Sequence, residues 1–474
     1  MIHTVRTPEA YIEIKRFESG NERMICLLSA DRKHLNENFT HPVSFSMTDY
    51  SFQTQIDSIS GSFSISVLPD IFEDNKSLID LVEMQDIVKI YEFGKLEFIG
   101  IITEAGYNAV MGEGGRVNRK IVLSGYSVGG MLERLSFVLD RHIISTSPDS
   151  DGKNKKLFEK LAQNFSVGQE ISSSIRAIID SFFDVMAKSR LGNSQTANHI
   201  IKTYIDTSQA GKGIYYKYSV AMSFYATGEN SLWQTLKMLF PPPLYEMFLE
   251  FDSARGVYVL VLRECPFPVR KSGIWDFGAW NRLPLTYVNS QNLKAYDLSK
   301  TSEDVYTFFM GVLPGSAISK EQAMVIDQGK GSCAYLDETL LGKYGFSPMY
   351  IEQKFFNRDE ATQKGVSASE LMKEVGEKAA GWFCMNDRMY GGNIEVMTVS
   401  GEVPSVGGRC GFLAYEFYVE RVGHYWSYGR AMTSKLLITR GLDYTVPGLK
   451  EISDLTKKLG ADVRDNIIMR GINR

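Results

Sequence analysis

The chain has 474 residues, of which 44% are apolar, 23% charged and 12% aromatic, a composition that excludes the disordered, fibrous and membrane-embedded classes. Net charge is −4 from 52 basic and 56 acidic residues mixed along the chain, so no basic stripe exists to hold a nucleic-acid backbone. The five cysteines (Cys26, Cys265, Cys333, Cys384, Cys410) are odd in number and far apart, with no C-x-x-C; this argues against a disulfide framework or thiolate zinc site and fits folding in a reducing cytoplasm.

The length implies roughly three domains. The first nineteen residues carry Arg6, Glu9, Glu13, Lys15 and Arg16 and do not read as a secretory signal. No apolar run approaches the roughly 20 residues needed to cross a bilayer, so stable membrane association is not expected.

From about Ile2 to Ser124 the pattern is short β segments broken by turn residues. Ser62, Ser64 and Ser66 alternate with Phe63, Ile65 and Val67, a period of two that predicts a half-buried strand ending at Pro69-Asp70. Asp86 to Phe93 and Leu96 to Thr103 read as strands joined at Gly94-Lys95, because glycine accepts the positive φ of a tight hairpin. A further strand at Lys120 to Ser124 completes a small barrel.

Between Met131 and Gly192 the period becomes helical. Ile175, Ile178, Ile179, Phe182, Phe183 and Met186 form one apolar stripe, preceded by serines that can cap it; Ser145 to Lys156 before it is a polar loop. Ser231 to Phe240 predicts a second amphipathic helix, stopped by Pro241, Pro242 and Pro243. Tyr245 to Phe251 and Val257 to Arg263 predict a hairpin. Further on come strands near Leu283 to Val288, a helix-like Thr301 to Phe309, a helix at Ser367 to Phe383, strands to Gly441 and an amphipathic helical tail from Leu449 to Ile472.

Several patterns invite a chemical reading. Gly125-Tyr126-Ser127-Val128-Gly129 is a literal G-x-S-x-G between a strand and a helix, the context of a hydrolase nucleophile elbow. The preceding meander of short strands and the lack of an upstream oxyanion-hole motif argue against it; a base would have to be His142, His199 or His424. The spacing also fails as a phosphate cradle, and the six isolated histidines and Asp149 to Asp151 do not form a metal motif. Glu303-Asp304, and Glu416 with Glu420, read as solvated residues rather than a glycosidase pair. The aromatic cluster Tyr415, Phe417, Tyr418, Tyr425, Trp426 and Tyr428 could stack a sugar or a base, but simple alternation puts Tyr418, Val422, Trp426 and Tyr428 on one face with Glu420 and His424, as sheet packing would. No catalytic, cofactor-binding or metal-binding residue is assigned.

Phe417 to Gly441 reads FYVERVGHYWSYGRAMTSKLLITRG, and this resembles the closing hairpin of baseplate hub proteins of phage tails and contractile injection systems. Gly392 to Gly408 is similar to the family's preceding strand and P-x-x-x-G turn. Ala295 to Gly311, Trp233 to Phe267, Gly94 to Ile102 and Leu123 to Leu135 resemble further family segments in the family's order. Arg421 stands where related chains often have a small or polar residue.

The resemblance, to the myophage hub and the N-terminal half of the type VI secretion spike protein, implies a mainly β, α+β fold. Two tube-protein-like β-barrel domains (1–125, and 283–312 with 345–445) would flank a mixed helical and hairpin domain (126–282), with an insertion at 313–344 and a helical tail at 446–474. It implies a non-enzymatic virion structural protein, a homotrimer adapting the six-fold tail tube to the three-fold central spike. Partners would be the tail tube, central spike, tape measure and other baseplate proteins, with DNA only as passing cargo along an acidic lumen. Assembly would occur in the bacterial cytoplasm, with the product in a virion tail baseplate or injection particle. No lysozyme, peptidase or spike helix is read after Gly441, so a stand-alone hub is expected. The alternatives are a tail-tip cell-wall hydrolase or serine esterase through Ser127, or a glycan-binding tail protein through Trp426.

Overall fold

The computed structural model describes residues 10–18, 21–29, 43–44, 46–69, 76–111, 117–130, 133, 204–206, 231, 233–234, 237, 245–271, 274–312, 334–352, 368–383, 389–398, 403–413 and 415–443. The apolar stripe at 175–186, the polar loop at 145–156, the three prolines at 241–243 and the helical tail lie outside these residues.

Strands dominate. The N-terminal part holds β1 (Ala10–Glu18), β2 (Asn21–Leu28), β3 (Val43–Ser44), β4 (Met47–Gln55) and β5 (Ser62–Val67), then a one-turn helix α1 (Leu78–Leu81), β6 (Ile87–Glu92), β7 (Lys95–Met111) and β8 (Val117–Ser127). The middle holds β9 (Tyr204–Asp206), β10 (Tyr245–Asp252), β11 (Val257–Glu264), β12 (Val269–Lys271), β13 (Ile274–Asp276), β14 (Leu285–Tyr287) and β15 (Leu293–Ser299). After these come β16 (Phe308–Val312), β17 (Ala334–Leu336), α2 (Glu338–Tyr344), β18 (Pro348–Glu352), α3 (Ala368–Trp382), β19 (Tyr390–Met397), β20 (Arg409–Phe412), β21 (Tyr415–Ser427) and β22 (Thr433–Asp443). The fold is mainly β, as the sequence predicts.

Local chemistry sets most boundaries. The β6–β7 turn falls on Phe93 and Gly94, with φ of 51° and 76°, rather than on Gly94-Lys95. Two successive positive φ values give the primed turn whose twist matches the flanking strands. Ser231 and Gln234 exchange reciprocal hydrogen bonds between side chain and backbone, the capping box that starts the predicted helix. Asp337 caps α2 by accepting from the amides of Thr339 and Leu340.

The helix-like reading of Thr301 to Phe309 is corrected: Phe308–Val312 is the central strand of a three-stranded sheet, antiparallel to β17 and parallel to β18. Phe308, Phe309 and Met310 are all buried, as residues with packing on both faces of a strand must be. Consecutive apolar residues carry no period, so helix and buried strand cannot be separated locally.

Among the described residues fourteen strands share one sheet, along the path β15-β19-β22-β21-β4-β5-β8-β7-β6-β1-β2-β3, with β20 and β14 attached at β21. The strands expected in the two tube-like segments thus meet directly, where β21 pairs antiparallel with β4 from Arg421↔Gln55 to Ser427↔Asp49. The sheet curls over its N-terminal part, packing Tyr50, Phe52 and Trp426 in the same core as Ile12, Ile90 and Phe98. A second core under the C-terminal strands gathers Phe417, Val419, Leu436 and Ile438 with Phe248 of β10. A third joins Tyr418 and Leu442 to Phe267, Phe277 and Trp280. Among the described residues no helix is long and apolar enough to cross a membrane.

Candidate functional site

Ser127 is the last residue of β8 and is 1% exposed. Its Oγ accepts from the Gly61 amide at 3.0 Å and donates to the Ile59 carbonyl at 3.3 Å. A nucleophile must present a free oxygen to substrate and a base; this hydroxyl instead fastens β8 to the turn before β5. Of the three candidate bases, His142 and His199 lie outside the described residues. His424 bonds Glu92 through Nδ1 at 2.8 Å. Among the described residues no three His, Cys, Asp or Glu side chains gather to hold a metal.

β21 carries the identifying stretch, and its geometry departs from simple alternation. The pairing with β22 slips between Glu416 and Tyr418, where the extra residue lies in β22, and again between Val419 and Arg421, where it lies in β21; an extra residue inverts the faces beyond it on its own strand. Phe417, Val419 and Val422 therefore pack in one core while Tyr418 faces the opposite way into another. Tyr418 and Val422 do not share a face, contrary to the alternation reading. Trp426 is 4% exposed and stacks on Tyr50 with centroids 5.6 Å apart, so it is a core residue. Tyr428, in the turn with Gly429 (φ 75°), is 54% exposed.

Glu416 is the second correction: it is 0% exposed, not solvated. Its Oε2 accepts from Arg409 Nη1 at 2.8 Å and from Trp280 Nε1 at 3.0 Å, and Arg409 also donates to the carbonyls of Leu283 and Asn281. A charge inside a protein needs such compensation, and here it ties the 281–284 segment to β20 and β21. Glu303 and Asp304 are exposed, as expected.

A second buried knot holds β10–β11 against β21. Arg263 donates to Glu246 at 2.9 Å, to Tyr418 Oη at 2.9 Å and to the Gly407 carbonyl at 2.7 Å, and Tyr418 donates to Glu246 at 2.6 Å. Burial, then the Glu246 charge, push the Tyr418 hydroxyl well above its ordinary pKa. Arg440, at φ 53°, lies over Phe267 and Trp382 and bonds Glu420 at 2.9 Å. These groups are spent on one another and fix the sheet rather than reach outward.

What faces outward is a row of small polar side chains on the sheet surface opposite the cores. Directly paired residues project to the same face, so the register defines a line from Tyr425 through Ser51, Ser64 and Ser124 to Glu104. A second line runs from Glu395 through Lys435, Gly423, Gln53 and Ser62 to Tyr126. Ser51, Ser64 and Ser124 are half-buried and Ser62 is exposed. Charges on this face are matched locally: Lys120 bonds Asp49 at 2.7 Å and Lys294 bonds Glu395 at 2.5 Å. The surface is continuous across the β4–β21 junction, is rich in hydroxyls and carries little unpaired charge. The alternating serines at 62–66 were visible in the sequence, but their alignment with Ser51, Ser124 and Tyr425 was not.

No protein-family profile and no curated relative matches the sequence. Among solved structures the neighbours are phage tail proteins and VgrG-type proteins of type VI secretion. The chain is similar to the 43 kDa tail protein of prophage MuSo2 from Shewanella oneidensis, at 11% identity and TM-score 0.48 over 92% of this chain and 98% of that one. It is similar to a tail protein from Neisseria meningitidis at 12% identity and TM-score 0.45, over 93% and 99% of the two chains. The third is a chain of a Francisella PdpA-VgrG complex, at 9% identity and TM-score 0.42, over 93% of this chain and 58% of that one.

Proposed function

We propose that this protein is a structural hub of a phage tail or contractile injection baseplate, a homotrimer that adapts the six-fold tail tube to a three-fold central spike and forms part of the central channel. The observation that carries this reading is the hydroxyl-rich face, with few and mostly paired charges, that runs unbroken over strands from both ends of the chain. A channel wall must let a charged polymer slide without holding it, and serine, threonine and glutamine with locally neutralised charges offer no array for phosphates. Three copies would present six tube-like units and so meet both symmetries. The units would be residues 1–125 and 283–312 with 345–445, separated by 126–282, the second interrupted by an insertion at 313–344 and followed by the tail at 446–474.

In this reading the tail tube, central spike, tape measure and other baseplate proteins are the partners. The protein assembles in the bacterial cytoplasm and ends in the tail tip or injection particle. The buried Ser127 and Trp426 disfavour the esterase and glycan-binding alternatives. Light scattering on purified protein tests the proposal: a mass near three times that of the chain, alone or on adding tube or spike protein, is the expected result. A monomer under every such condition that hydrolyses p-nitrophenyl esters or peptidoglycan would overturn it.

A further inference from the structure

At the centre of the β4–β21 junction a histidine faces inward. His424 pairs directly with Phe52 of β4 and stacks on its ring, with centroids 4.6 Å apart and planes 9° from parallel. Its Nδ1 lies 2.8 Å from Glu92 Oε2, and the other carboxylate oxygen of Glu92 accepts from Tyr50 Oη at 3.0 Å. Glu92 belongs to β6, four strands beyond β4 along the sheet path. These two bonds therefore do not follow the sheet; they cross the interior of its curl and tie β6 to the junction. The Glu92 side chain is 2% exposed and that of His424 is 12% exposed.

The histidine also lines a cavity of about 240 Å³ at the meeting of the N-terminal strands, the β10–β11 hairpin and the 403–406 segment. Among the described residues, the charged or titratable groups facing it are these. Glu92 comes from β6, Lys95 and Glu97 from β7, and Glu250 from β10, while Tyr50 of β4 meets it through Glu92. Glu97 accepts from Ser253 at 2.6 Å. The acidic groups outnumber the single lysine, and the cavity gives protons a route to the ring.

We propose that His424 and Glu92 form a proton-operated pin, which fastens the curl of the N-terminal sheet to the C-terminal strands when the ring is charged and loosens it when the ring is neutral. In the neutral ring the Nδ1 proton is donated to Glu92, and Nε2 is the nitrogen that gains and loses the second proton. Adding that proton turns a hydrogen bond from a neutral ring to the carboxylate into an ion pair of opposite charges, which favours the closed contact. Burial opposes the charge, but the Glu92 charge, its hydrogen bond and the Glu97 charge outweigh burial and raise the ring's pKa. A raised folded-state pKa places the full stabilisation below the unfolded value of about 6.5 and removes it as pH climbs through the folded value. Each unit by which the two differ is about a tenfold change in the local opening equilibrium.

The test is hydrogen–deuterium exchange of the full-length protein from pH 5.5 to 9, corrected for the intrinsic exchange rate. Protection of residues 49–55 and 421–427 is expected to fall as pH rises, by about tenfold per unit of pKa difference, while β10–β11 stays flat. His424→Gln and Glu92→Gln should each remove the slope. An unchanged slope in His424→Gln, or no slope in the unsubstituted protein, overturns the proposal. Should both variants fail to fold, the ring titrations of the unsubstituted protein decide: no histidine titrating above the ordinary range sinks the pin.

Discussion

The buried pair Arg409–Glu416 allows a quantitative test of what holds the C-terminal strands to the segment before β14. The two side chains are 1% and 0% exposed and 2.8 Å apart. Removing one partner from such a pair leaves an uncompensated interior charge and costs roughly 3–5 kcal/mol. Glu416→Gln keeps the shape, and its carbonyl can still accept from Trp280, but Arg409 then rests on backbone carbonyls alone. Arg409→Met leaves the carboxylate with the hydrogen bond from the Trp280 indole N–H. Each single change should therefore cost about 3–5 kcal/mol. The double variant removes both charges at once, and its cost should fall below the sum by at least about 2 kcal/mol, because neither charge is left stranded. The readout is exchange protection of residues 281–288 and 409–416, with β6–β7 as a control. Additivity within about 0.5 kcal/mol would refute the reasoning, since it would mean that the two groups do not sense each other.

Ser127→Ala should lower stability by about 1–3 kcal/mol through the stranded Gly61 amide, read as a loss of thermal midpoint, without changing any hydrolytic rate. Gly441→Ala should destabilise the β21–β22 hairpin, because its Cβ would sit 2.2 Å from the Phe417 ring; a normal melting curve would contradict the packing. Burial pushes the Cys410 thiol up to about 12 and the Cys26 thiol up to about 11. Neither should react with a maleimide at pH 8 until the chain is unfolded, which peptide mapping by mass spectrometry can follow. Trp426→Ala should cost about 3–5 kcal/mol of stability by opening the core beside Tyr50, whereas loss of glycan binding in a folded variant would favour a sugar platform.

Much of the secondary structure was legible because its causes are local. The serine and apolar alternation at 62–67 yields β5, the turn at Asp252 to Gly256 yields the β10–β11 hairpin, and the periodic segment ending near Phe383 yields α3. A period of two or of 3.6, with a capping group or a positive φ, acts over a few residues. The segment at 301–309 failed for the complementary reason: three successive apolar residues have no period, and the partners β17 and β18 that make it a strand are distant in sequence.

By itself, then, the sequence determined that this chain is built mainly of short strands and, to within a residue, where the β6–β7 and β10–β11 hairpins turn. The tertiary structure decided how those strands meet. Strand partners are chosen by burial and register across the whole chain, so only the fold could set β4 beside β21, align Ser51, Ser64, Ser124 and Tyr425 on one polar face, and bring Glu92 to His424. The two slips between β21 and β22, one extra residue in each strand, have the same origin. The one in β21 leaves Glu416 and Tyr418 facing Arg409 and Arg263 while Val422 beyond it turns into the other core, and so converts a stretch that reads as an aromatic patch into a buried seam between cores.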